Sequence, residues 1–133
     1  MKLSSLKIDA AKLEKGDWVA DIPGLGDIEL KVRGLGNADH RKRQTELVTA
    51  LPRHKRKDVA EMDSIDVRLL VETVLLDWRN VSDDAGEPVA FSAEAATSIL
   101  SDPELVAFRQ GVIWAATTVA DRDAGNLADD LGN

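Results

Sequence analysis

The run from Ile65 to Phe91, IDVRLLVETVLLDWRNVSDDAGEPVAF, constrains the fold more than any other part of the chain. Its first half sets Val67, Leu70, Val71, Val74 and Trp78 at the three- and four-residue spacing of one helix face. Ile65, Leu69, Leu75 and Leu76 fill the flanks, and Asp66, Arg68, Glu72, Thr73 and Asp77 leave only a narrow polar strip. A helix this apolar around its circumference is normally enclosed by other elements. At about 1.5 Å per residue it reaches roughly 20 Å, enough to cross a small domain. The expectation is a central core helix capped by Asp63 or Ser64, with part of its circumference as an alternative docking surface.

The elements before it read as a hairpin and a helix. Trp18, Ala20 and Ile22 alternate with Val19 and Asp21; Ile28, Leu30 and Val32 alternate with Glu29, Lys31 and Arg33; Pro23, Gly24 and Gly26 lie between. That period of two predicts a β-hairpin over about 17–33 with one buried face. Two strands alone are marginal, so the hairpin packs on helices or joins a larger sheet, and its open edge could accept a strand from a partner or, by self-association, from a second copy. A short helical or irregular lead-in over 6–15 precedes it, ended by Gly16. Asn37 or Asp39 caps a helix over 38–51 that Pro52 stops.

After Trp78 the segment DDAGEP is turn chemistry, Ser92 caps a short helix, and Asp102-Pro103 opens the last one. Glu94 sits one residue early for a full capping box with Ser92. The last helix carries Leu105, Phe108, Val112, Ala115, Ala116 and Val119 on one face, with Ile113 and Trp114 beside it. The fold class is therefore α+β: one domain over 1–133, with an N-terminal hairpin on a body of about four helices (38–120) and a frayed acidic tail over 121–133.

Composition narrows the chemistry. The chain is 44% hydrophobic and 31% charged, as soluble globular domains are, and no apolar run is long enough to span a bilayer. Without an apolar leader the expected location is the cytosol. Cysteine is absent, which excludes disulfides, thiolate catalysis and Cys-ligated zinc. His40 and His54 lack a partner at metal-ligand spacing, and Gly24-Leu25-Gly26 and Gly34-Leu35-Gly36 do not continue into a phosphate-binding fingerprint. No serine, histidine and acid are set together for nucleophilic catalysis, and no carboxylate pair is singled out, so neither an enzyme nor a cofactor is expected.

The charge is split along the chain. Residues 1–57 carry 13 Lys/Arg against 8 Asp/Glu, and residues 58–133 carry 4 against 16. The basic surplus concentrates at Arg41, Arg43, Arg53, Lys55, Arg56 and Lys57, a candidate contact for an acidic partner protein or for the acidic half of the same domain. Phosphate neutralisation is the alternative, but no aromatic residue is interleaved for base stacking and the pI is ≈ 4.8.

Read with its flanks, LLVETVLLDWRNVSDDAGEPVAFSAEAATSILSDPELVAF resembles the pattern of tail assembly chaperones of long-tailed bacteriophages and prophages: a helix, Trp-x-Asn/Gly-hydrophobic, acidic-Gly-x-Pro, Phe/Tyr-Ser, then a short helix. The hairpin WVADIPGLGDIELKVRGL and the Arg/Gln-bearing helix after it resemble the variety in alphaproteobacterial phages, so the likeness covers roughly 17–120. It implies a non-catalytic assembly factor in the host cytoplasm, absent from the finished particle, that coats the tape-measure protein, helps recruit tail-tube subunits and possesses no catalytic residues. Trp78, Gly86, Pro88, Phe91 and Ser92 match the pattern as structural positions. The resemblance also implies a longer product made by a minus-one ribosomal slip. Leu131-Gly132-Asn133 is compatible with the slippery codons G-GGA-AAY, which the gene would reveal.

Overall fold

The computed structural model of the chain describes residues 1–6 and 10–132. In order these form a 3-10 turn at Leu3–Leu6, then α1 (Ala10–Lys15), β1 (Asp17–Val19), β2 (Glu29–Val32), α2 (Ala38–Ala50), α3 (Val59–Thr73), β3 (Leu75–Arg79), α4 (Ala93–Ser101) and α5 (Val106–Gly132). Further 3-10 turns lie at Arg53–Lys55 and Pro103–Leu105. The fold is α+β, with a small antiparallel sheet near the N-terminus and a mainly helical body. Residues 7–9 of the expected lead-in lie outside the described residues; α5 continues helical through Gly132, across the segment expected to fray.

The hairpin forms where the alternation places it, β1 pairing β2 with Trp18 opposite Lys31 and Val19 opposite Leu30. Its inward residues are Val19, Leu30 and Val32, all fully buried. Trp18 therefore faces outward rather than into the core, because β1 ends at Val19 and Asp21 turns the chain at φ +54° before Ile22 and Leu25 fold inward. On the outer face the Arg79 guanidinium carbon stands 3.7 Å from the Trp18 ring centre.

The central helix ends earlier than its periodicity suggests. α3 stops at Thr73, and Leu75–Arg79 is a strand that pairs with β2 and completes the order β1-β2-β3. The edge of β2 that the hairpin alone would leave open is thus filled from within the chain. The register slips between Lys31 and Val32: Asp77 faces Lys31 but Leu75 faces Val32, so Leu76 is the extra residue of a bulge. In a regular strand Leu75 and Trp78, three apart, would point to opposite faces. The bulge turns both inward, leaving them 2% and 6% exposed. The start of α3 also moves. Asp58, not Asp63 or Ser64, is the cap, its Oδ1 accepting the Glu61 N–H at 3.0 Å.

The main core joins the inner face of the sheet to α3, α4 and α5, through residues such as Val74, Leu100, Val112 and Ala116. A smaller cluster of Leu47, Ile65 and Leu69 fastens α2 to α3. The close approach of α5 to the β1–β2 loop depends on Gly111. A Cβ there would meet the Leu25 side chain, with its Cγ at 2.9 Å, and Ile22 Cγ2 at 3.2 Å. Gly111→Ala should gain nothing, because better helix propensity (about 1 kcal/mol) is offset by having to move the buried Leu25 branch point as well as its tip. Gly111→Val should lose about 1–3 kcal/mol through overpacking, read as a lower urea midpoint; an unchanged midpoint would show that the loop yields freely.

Candidate protein-interaction surface

The motif residues after α3 form a structural clasp. Trp78 on β3 donates its indole N–H to the Val89 carbonyl at 2.7 Å. Its ring meets Phe91 edge-on at 5.0 Å and Phe108 of α5 at 5.8 Å. The loop between returns through a tight turn in which Asp83 Oδ1 accepts the Ala85 and Glu87 amides and Gly86 takes φ +83°. Pro88 bridges back to Ser82, and Ser92 Oγ caps α4 by accepting the Ala95 N–H at 3.0 Å. Trp78 and Phe91 pack together, while Gly86, Pro88 and Ser92 lie exposed along the turn and the start of α4.

The basic residues divide. Arg43 on α2 is tied to Glu46 at 3.2 Å and to Glu72 of α3 at 2.9 Å. The Glu72 carboxyl is held below its ordinary pKa chiefly by the Arg43 hydrogen bond, partly offset by burial, and Arg43 is raised by the same bonds. Arg56 donates to the Leu51 and Thr49 carbonyls and closes the C-terminal end of α2. Arg41, Arg53, Lys55 and Lys57 are exposed, the last three on one short turn between α2 and α3. The Arg43–Glu72 pair is a direct contact between the basic segment and the acidic half.

A different surface emerges between α2, α3 and α5. A cleft of about 270 Å³ has buried Leu69 and Leu70 on its floor and half-exposed Leu35 and Ile113 at its mouth. His40 contributes a wall. Its Nδ1 is buried without a hydrogen-bond partner, and its pKa lies below the ordinary value because burial disfavours the charged ring, partly opposed by Asp66. Arg109 of α5 crosses to α3, 2.7 Å from Asp63 and 3.9 Å from Asp66. On the other side of Arg109 a second cleft of about 250 Å³ lies between Asp63, Leu100, Pro103 and Val106. Val106, Ile113 and Trp114 are 40–52% exposed along the same helix.

The sequence singles out neither Arg109 nor the pairing of α3 with α5. Its only trace of this surface is Ile113 and Trp114 standing beside the buried stripe of the last helix. No group of His, Cys, Asp and Glu suited to a metal ion occurs among the described residues, and no described helix is long and apolar enough to cross a membrane.

No curated protein and no solved structure matches the chain. A family model does: that of the YdaY prophage protein, over residues 35–133, which takes in every element from α2 to α5 and leaves the hairpin outside. As that span covers well over half of the sequence, the chain belongs to the YdaY prophage protein family.

Proposed function

We infer that this prophage protein is a non-catalytic tail assembly chaperone, binding the tape-measure protein, tail-tube subunits or both in the host cytoplasm and leaving before the virion is complete. The observation that carries the reading is the strip of apolar side chains on α5. Val106, Ile113 and Trp114 face solvent on a helix whose opposite side, from Phe108 to Val119, is buried in the core. Exposed apolar surface grouped on one element marks a place for another protein. A prophage origin and the ordered Trp–acidic turn–Phe-Ser pattern direct that surface toward tail morphogenesis. A longer frameshifted product belongs to the same proposal.

Nucleic-acid binding through 41–57 is less well supported, since Arg43 and Arg56 are engaged within the fold. The test is co-expression with the tape-measure protein and the tail-tube protein of the same prophage, followed by purification from nuclease-treated extract. Co-purification with either is the expected result. Failure with both overturns it; recovery from untreated extract that is lost with nuclease and on replacing Arg53, Lys55, Arg56 and Lys57 overturns it in favour of a nucleic-acid binder.

A further inference from the structure

The two clefts flanking Arg109 are not independent hollows. Residue numbers rise together along the facing sides of α3 and α5: Asp63 lies by Val106 and Arg109, Asp66 by Arg109, and Leu69 and Leu70 by Ile113. Val106 and Ile113, one at each cleft, are seven residues apart, or about 10.5 Å along the axis at 1.5 Å per residue. That is the spacing of two apolar side chains at i and i+7 on a helix laid along the seam. Each cleft has room for a large apolar side chain, given that a cavity of about 150 Å³ already accepts benzene.

Charge specifies the occupant further. The seam between the clefts carries Asp63 and Asp66, with side chains 55% and 59% exposed, against the single Arg109, and Asp102 adds a third carboxylate at the lower cleft. A surplus of carboxylate between two apolar hollows complements Lys or Arg placed between two apolar anchors. The buried, unpartnered Nδ1 of His40 in the upper cleft is a further polar atom that an incoming N–H could satisfy.

We propose that the α3–α5 seam, from the Val106 cleft to the Ile113 cleft, is a groove for an amphipathic helix of a client protein, with apolar anchors at i and i+7 and basic residues at i+3 or i+4. The proposal takes the identity of the client from the assembly-factor reading, but the seam's chemistry stands without it. The probe is an N-acetylated, Ala-rich synthetic helix of about 18 residues with Leu at i and i+7 and Lys at i+3 and i+4, titrated calorimetrically into the full chain. Binding should weaken at least about tenfold with Val106→Glu or with Ile113→Glu, as for central apolar anchors. Both residues are exposed enough for the variants to fold, which circular dichroism checks. Ala85→Glu, on the exposed Asp83–Glu87 turn that lines neither cleft, should bind like the parent. Changing the peptide lysines to glutamate should abolish binding, and Asp66→Lys should restore it.

A peptide that does not bind at millimolar concentration, or binds equally to the parent, Val106→Glu and Ile113→Glu chains, overturns the proposal. So does a dimer of the parent chain that either substitution dissolves, because a second copy would then fill the seam. If the tape-measure protein co-purifies with both variants as with the parent, the groove is refuted and the chaperone reading survives. If the peptide binds as described but neither tail protein does, the groove stands and the chaperone reading falls.

Discussion

Trp78→Ala is expected to remove most of the stability of this domain. Three separate supports leave with the indole. The first is packing: a 6% exposed Trp in the main core, whose truncation typically costs about 3–5 kcal/mol. The edge-on contacts to Phe91 and Phe108 belong to that sum rather than adding to it. The second is the 2.7 Å bond to the carbonyl of half-buried Val89, worth about 0.5–1.5 kcal/mol. The third is the anchorage of the loop from Asn80 to Ser92, since Phe91 then has no ring to rest on. Against a total of about 5–15 kcal/mol for a domain, the variant should unfold at less than half the urea concentration of the parent, or be unfolded without urea. Trp78→Phe, which keeps a ring but no N–H, should lose appreciably less. A Trp78→Ala chain within about 1 kcal/mol of the parent would mean that the aromatic cluster is peripheral.

The same residue shows why the sequence misleads at the end of α3. Val71, Val74, Leu75 and Trp78 are spaced three and four apart, and a helix is the ordinary cause of that spacing. Here a bulge at Leu76 produces it within a strand, by turning two residues of opposite parity to the same side. Local patterning does not register a bulge, because what forces it is the pairing with β2, more than forty residues earlier in the chain. The start of α3 was hidden for a simpler reason. Its first turn faces water, with Val59 83% exposed, so no apolar period marks it, and Asp58 had no pattern to lead.

Signals carried by one or two residues fared better. The Asn37 and Ser92 caps are local chemistry and are found in place, while Asp102-Pro103 starts the 3-10 turn that leads into α5 rather than α5 itself. The α3–α5 seam was beyond such reading, because it exists only once the fold brings Arg109 of α5 to Asp63 and Asp66 of α3. Arg109 in isolation is one more charged residue on an amphipathic helix; Asp63 and Asp66 give it a position.

Asn37→Ala tests the corner where that seam begins, and its effect should rank next to that of Trp78→Ala. Asn37 is fully buried and its side chain makes three bonds. Oδ1 accepts the His40 N–H at 2.9 Å, capping α2, while Nδ2 donates to the Gly34 carbonyl at 3.0 Å and the Thr73 carbonyl at 2.9 Å. Around it the Leu35 N–H reaches the Ala116 carbonyl of α5 and the Gly34 N–H reaches Leu13 of α1, so four helices meet at this turn. Alanine removes the cap, about 1 kcal/mol, and leaves the Thr73 carbonyl without its Nδ2 donor, about 1–3 kcal/mol more. The expected loss is about 2–4 kcal/mol by urea titration. Asn37→Ser should recover only the cap. Asn37→Asp keeps the cap acceptor but sets a carboxylate against two carbonyls, which raises its pKa above the unfolded value of about 3.9. The proton is then bound more tightly in the folded chain, so this variant should lose stability relative to the parent as pH rises from 4 to 7. A flat difference over that range would mean that the new carboxylate turns away from the two carbonyls, and an Asn37→Ala chain as stable as the parent would place the capping of α2 elsewhere. Because Leu35 and His40 flank Asn37 and line the upper cleft, the alanine variant should also bind the Leu/Lys peptide more weakly while still folded at low temperature.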